Sequence, residues 1–226
     1  MMKKILSILL MVISIISLTS CGNKINKFSE FKDAMSKEYE SITFDKEMIG
    51  NVKRGGTTTN QSAFNLNVKM DNDKTSIKGT VEGDSKIELY SEGKNDNLNF
   101  WVESDGEWLK NAADLYLYYM FTSYPSLDVE EGDFEYKKGV WVANIDKIED
   151  KLIKSLDKFL GISSYDNLDI KQYDITFDKE NISKIEIRIS AKVTYDAEIT
   201  EYDISYIFNF RDHNNTKVER PEGLPN

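Results

Sequence analysis

Cys21 is the only cysteine in the 226 residues, and its place in the chain decides what its thiol can do. It follows Leu18-Thr19-Ser20 at the end of an uncharged run from Ile5 to Leu18, behind Lys3 and Lys4. A basic start, an apolar middle and small residues before a cut site make residues 1–20 a secretory signal peptide. The run is about 14 residues long, short of the roughly 20 that a permanent membrane-spanning helix needs. One histidine is present, His213, inside the polar turn Arg211-Asp212-His213-Asn214-Asn215, where it reads as a surface turn residue rather than a general base. The sequence holds no Gly-x-Ser-x-Gly, P-loop or dinucleotide fingerprint, so triad-type hydrolysis is not expected and the protein reads as a non-enzyme.

Acidic groups are abundant but poorly organised for metal binding. Asp71-Asn72-Asp73 with Glu82 imitates positions one, three and twelve of an EF-hand loop. Ser76 stands where the loop glycine belongs, and Ile77, Gly79 and Val81 impose a strand period, so the segment reads as a hairpin turn. Glu130-Glu131 with Asp133 reads as a solvated loop. No metal and no cofactor are expected. The candidates for ligand contact are instead apolar and aromatic: Trp101, Trp108, Tyr116, Tyr119, Met120, Phe121 and Trp141. The same residues also read as core, and the two readings meet in a cavity that is a core left partly unfilled.

Charge narrows the partners. The formal net charge is −10, and removal of Lys3 and Lys4 with the signal peptide takes it to −12. Nucleic acid, bound mainly through basic groups on phosphate, is excluded as a partner class. A polybasic membrane patch is excluded by the same balance. Residues 21–26 form a short tether, and residues 27–226 fit one domain long enough to build a core without disulfide staples.

Periodicity supplies the elements. Phe28, Phe31, Met35 and Tyr39 recur at helical spacing and predict an amphipathic helix over roughly 24–40. Gly50 to Gln61, containing Arg54-Gly55-Gly56, reads as a loop. From Ser62 the period becomes two: Phe64, Leu66, Val68 and Met70, then Ile77, Gly79 and Val81, then Ile87 and Leu89, then Leu98, Phe100 and Val102. Asp105-Gly106 between alternating segments is a hairpin signal, and a strand carrying Trp108 follows it. Residues 112–124 read as an aromatic helix buried on most sides, and 134–142 as a hairpin around Lys138-Gly139. Ile145, Ile148, Leu152, Leu156 and Phe159 mark a second amphipathic helix. Strands follow at Ile170–Phe177, Ile185–Val193 and Tyr202–Phe210, and the polar tail beyond Arg211 reads as frayed. Strands in two blocks with helices between them predict an α+β fold: a curved antiparallel sheet with helices packed on its concave face.

Two resemblances add to this reading. Leu18-Thr19-Ser20-Cys21 resembles the lipobox of bacterial lipoproteins. It implies a diacylglycerylated Cys21, cleavage before it, palmitate-type acyl chains and an extracytoplasmic protein anchored to the cell membrane. No free thiol then remains for catalysis. The helix at 24–40, the turn Glu103-Ser104-Asp105-Gly106 before Glu107-Trp108-Leu109, and the ending Ile204 to Phe210 through Val218-Glu219-Arg220-Pro221 resemble the LolA-like and LppX/LprG-like half-barrel lipoproteins. That resemblance implies a lipid or lipoprotein ligand carried in an apolar cavity between sheet and helices. The alternative is a surface interaction, adhesion or envelope assembly lipoprotein with a packed core and no small ligand. Rings of Trp and Tyr filling the gap between sheet and helices would argue against the carrier.

Overall fold

Period-two alternation dominates the protein and produces eleven strands in one antiparallel sheet among the described residues. The computed structural model describes residues 25–81, 85–93, 97–111, 115–125, 127–160, 166–195 and 198–225. Within these, the side chains of residues 60–62, 116–117, 158–160 and 195 are not described; Cys21, with the rest of residues 1–24, lies outside. The strands are β1 (Ser41–Arg54), β2 (Thr57–Asp71), β3 (Lys74–Val81), β4 (Ser85–Glu92), β5 (Asn99–Ser104), β6 (Glu107–Lys110), β7 (Phe134–Lys137), β8 (Val140–Ala143), β9 (Asn167–Asp178), β10 (Asn181–Tyr195) and β11 (Glu198–Arg211). The helices are α1 (Phe28–Met35), α2 (Leu115–Thr122) and α3 (Ile145–Leu160).

Spatial order across the sheet is β6-β5-β4-β3-β2-β1-β11-β10-β9-β8-β7. Two meanders, β1 to β6 and β7 to β11, are joined where the last strand pairs with the first, Phe44 opposite Phe210. β6 and β7 are left as the two edges, so the sheet is open, and the fold is the expected curved α+β half-barrel. One face carries Phe44, Leu66, Val68, Ile77, Leu89, Ile175, Ile185, Ile187 and Phe208, all fully or almost fully buried. All three helices pack on that face, contributing Phe31, Tyr118, Phe121, Ile148, Leu152 and Leu156 to the same apolar cluster. The other face is largely polar, as expected for an antiparallel sheet covered on one side.

Three expectations need correction. The first helix ends at Met35 rather than near residue 40, where Ser36 turns its hydroxyl back to the Lys32 carbonyl at 2.9 Å. Tyr39 lies instead against His213, with ring centroids 4.6 Å apart. The expected loop at 50–61 is a hairpin within two long strands, closed by Gly55 and Gly56 at φ +56° and +82°. That pair supplies the positive φ values that a two-residue turn requires. The tail beyond Arg211 is not frayed. It crosses the polar face as a strap, and Thr216 and Val218 are buried along it. Thr216 shares a 2.8 Å hydrogen bond with Thr43, the Val218 N–H donates to Asp71 at 3.3 Å, and Arg220 donates to Glu92 at 2.8 Å.

β2 and β3 approach closely at Gly79. A Cβ built there would lie 2.0 Å from the Asn65 carbonyl oxygen and 2.9 Å from the Leu66 Cα, both backbone atoms that cannot swing aside. Gly79→Ala should therefore destabilise the protein by about 1–3 kcal/mol, the usual range for forced overpacking. Urea unfolding of the two proteins checks this, and an unchanged midpoint would refute the close approach.

Candidate functional site

The most unusual side chain on the concave face is a lysine. Ile42, Phe44, Lys46 and Met48 alternate inward along β1, so strand geometry alone sends Lys46 into the core. It pairs across the ladders with Phe208 on one side and Leu66 on the other, and its relative exposure is 0%. Its ammonium reaches the end of α2, where Nζ donates to the Met120 carbonyl and, at 3.0 Å, to the Ser123 carbonyl. Nζ also lies 5.2 Å from the Phe208 ring centroid and 5.6 Å from that of Phe64. The last carbonyls of a helix have no intrahelical partner and carry partial negative charge. Lys46 is thus a C-terminal cap delivered from the sheet rather than from the helix itself. Burial lowers its pKa from 10.5 to about 7, because the core penalises the charged form.

A second polar fastener holds the other part of α2. Tyr118 turns its hydroxyl to the sheet, sharing a 2.9 Å hydrogen bond with Ser91 and donating to Thr75 at 3.4 Å. Ser91 and Thr75 are themselves buried on the concave face. Around these bonds the contacts are apolar: Tyr118 stacks on Phe100 at 6.0 Å, and Phe121 meets Phe64 edge-on at 5.9 Å. The helix contains no charged residue, and Leu115 and Tyr119, one turn apart, are half exposed on its outer side. α2 is therefore an apolar helix laid over an apolar trough and held down by polar bonds at two points.

The far half of the concave face is filled differently. Phe31 of α1 stacks on Trp141 of β8 at 4.3 Å and meets Phe134 and Phe177 at 5.0 and 5.8 Å. Trp141 Nε1 donates to the Ile25 carbonyl at 3.0 Å, fixing the point where the described chain enters the domain. Tyr173 is fully buried there, and burial raises the pKa of its hydroxyl.

The expected contact residues divide between the two faces. Phe121 and Trp141 are core, Met120 is half-buried with its carbonyl on Lys46, and Tyr119 is exposed at the rim of α2. Tyr116 belongs to α2, but its side chain lies outside the described ones. Trp101 and Trp108 sit on the opposite, outer face. There Trp101 packs with Tyr90 and Val218 under the C-terminal strap, and Trp108 and Leu224 border the cluster. Lys110 and Arg220 lie 5.3 and 5.8 Å from the Trp101 ring centroid. These two tryptophans line no part of the sheet–helix space. Sequence reasoning missed Lys46 altogether, and the available signal was its inward register between Phe44 and Met48.

The outer face also carries a groove of about 430 Å³ bordered by Lys53, Asp169, Lys171, Lys192, Glu201 and Asp203. Its charges meet one another: Lys53 and Lys192 each lie 3.1 Å from Glu201, and Lys171 pairs with Asp169. Exposed pairs of this kind contribute little to stability. Elsewhere on this face Arg211 and Asn67 hold the Asp45 carboxyl below its ordinary pKa against the opposing effect of its partial burial.

Neither a family model nor a curated protein sequence matches the chain. Among solved structures, a DUF1329 family protein from Desulfovibrio piger aligns over 85% of this chain and 91% of its own, at 9% identity and a TM-score of 0.25. A likeness at that score carries no argument about function. Among the described residues no helix is long and apolar enough to cross a membrane.

The depressed pKa of Lys46 makes stability depend on pH. Between about pH 7 and the unfolded value of 10.5 the unfolded chain holds a proton that the folded protein has released. Stability from this group therefore rises with pH across that window and is flat below it. Chemical unfolding at pH 7 and pH 9.5 should show the rise in the natural protein and its loss in Lys46→Met. An equal rise in both would contradict the assignment.

Proposed function

We propose that the protein is a lipid-anchored, extracytoplasmic lipoprotein without enzymatic activity that binds an apolar ligand, a lipid or the acyl part of a lipoprotein, on the concave face of its sheet. The observation that carries this reading is the fastening of α2. A helix held only by apolar packing would belong to the core outright. α2 is tied down as well by hydrogen bonds from Lys46 and Tyr118, polar contacts that water can replace when the helix lifts, beside the ring packing of Tyr118 and Phe121. Lifting it would uncover Phe64 and Phe100, which it touches, on the same apolar face as Leu66, Ile77 and Leu89. The signal sequence ending at Cys21 supports the address, and the acidic balance is consistent with anchoring by acyl chains rather than by basic patches.

A second reading has its own observation. The stack of Phe31, Trp141, Phe134 and Tyr173 fills the half of the concave face beneath α1, as a packed interaction or envelope assembly lipoprotein would require. The carrier reading therefore places the ligand beneath α2 alone.

Native mass spectrometry of the mature, acylated protein, before and after solvent extraction, separates the two. A noncovalent lipid adduct that extraction removes, and uptake of a fluorescent fatty acid that increases in Tyr118→Phe, are the results expected of a carrier. A clean apo mass with no uptake in either protein would leave the packed interaction domain as the correct reading.

A further inference from the structure

We propose that the exposed side of α2, together with the neighbouring edge strand β6, is a membrane-docking face that seats the domain on the lipid surface. The inference rests on the lipid-anchor reading of Cys21 given above. Its first basis is an apolar patch. Leu109 on β6 is 45% exposed, and Leu115 and Tyr119 on α2 are 50% and 47% exposed. Leu109 pairs with Val102, whose side chain packs against the concave-face core, so β6 presents Leu109 on the side where α2 lies. No lysine, arginine, aspartate or glutamate occurs between Leu115 and Leu127.

The second basis is the reach of the chain. Trp141 holds the Ile25 carbonyl, and Ile25 is only four residue steps from Cys21. Fully extended, four residues span at most about 14 Å. An anchored domain cannot stand clear of the bilayer on such a tether, so some part of its surface must lie against the headgroups.

The register across the sheet indicates which part. Leu109 pairs with Val102, Val102 with Leu89, Leu89 with Ile77, Ile77 with Val68, and Val68 with Phe44. From the opposite edge, Trp141 pairs with Ile175, Ile175 with Ile185, Ile185 with Phe208, and Phe208 with Lys46. The two rows are two residues apart on β1, about 7 Å along the strand. Leu109 and Trp141, which holds the tether's entry point, thus sit in neighbouring rows near the two edges of the sheet. Both edges border the concave side that α2 covers.

Net charge favours the same occupant. A strongly acidic domain gains nothing from anionic headgroups, so its contact with a membrane depends on apolar side chains, and the patch offers them without basic neighbours on α2. Contact through α2 would also put the helix that covers the apolar trough against the source of its ligand.

The test uses the acylated mature protein in vesicles of phosphatidylcholine and phosphatidylglycerol. Single cysteines are placed at Leu115, at Tyr119 and at Ile199, and each is labelled with a nitroxide. Ile199 is a control, 55% exposed at the opposite ends of the strands. Power-saturation EPR should place the labels at 115 and 119 inside the interface, at the depth of about 5–10 Å typical of apolar helix faces, with the label at 199 in water. Two sites in the patch keep the result readable if one substitution disturbs folding. Labels at 115 and 119 as exposed to aqueous nickel as that at 199, on protein whose Cys21 carries palmitate, would overturn the docking face while leaving the anchor intact. Absence of palmitate at Cys21 would overturn the anchor and the docking face with it.

Discussion

The C-terminal end of α2 depends on one lysine side chain inside an apolar sheet. Lys46 sits between Leu66 and Phe208, where any β-strand of this register would carry another Ile or Phe. Burying a charge there is costly unless it is hydrogen-bonded, and the Met120 and Ser123 carbonyls at the end of α2 offset only part of that cost, since burial still lowers the Lys46 pKa to about 7. The same carbonyls would be orphans without it. Each side therefore depends on the other: the helix needs a donor at its C-terminus, and the lysine needs acceptors in the core. An apolar residue at position 46 would remove the donor to the Met120 and Ser123 carbonyls, while a lysine without α2 would lose both of those acceptors. This mutual requirement fixes the C-terminal end of an eight-residue helix that Tyr118 fastens elsewhere.

The sequence was legible wherever one face of an element was uniformly apolar. α3, the strands from Phe64 onward, and the turns at Asp105-Gly106 and Lys138-Gly139 all follow from period and turn chemistry, and structure and sequence agree on them. β1 was not legible, although it is the central strand. Its inward positions run Ile42, Phe44, Lys46, Met48 and Gly50, and a lysine and a glycine in that series hide the alternation. Thr57 to Asn60 resembled a loop because threonine and asparagine are common turn residues. Their strand conformation is imposed by pairing with the end of β1. The principal feature of the candidate site was therefore concealed by its own chemistry, since the residue that fastens α2 is the one that interrupts the strand pattern.

The tryptophans show a different limit. Trp101 and Trp141 are equally aromatic and buried, yet they belong to opposite faces of the sheet. Tyr90 and Trp101 are cross-strand neighbours facing outward, and they are buried because the C-terminal strap lies across them. Composition marked that strap as polar and frayed, because its anchoring contacts are scattered single residues, Thr216, Val218 and Arg220, with no periodic pattern. Burial by a distant tail cannot be read from local spacing. It becomes visible only when the fold brings residue 218 beside residues 90 and 101.

The concave face thus has two parts with different mechanics: a ring-packed half under α1, and a half under α2 closed by hydrogen bonds. Native-state hydrogen exchange of the α2 amides, compared with those of β1 and β11, tests this division most directly. Local opening should release the α2 amides at a free energy well below that of global unfolding, while the central strands exchange only through the global transition. Equal protection of α2 and the central strands would contradict the account, because α2 would then be part of a single cooperative core and no cover at all.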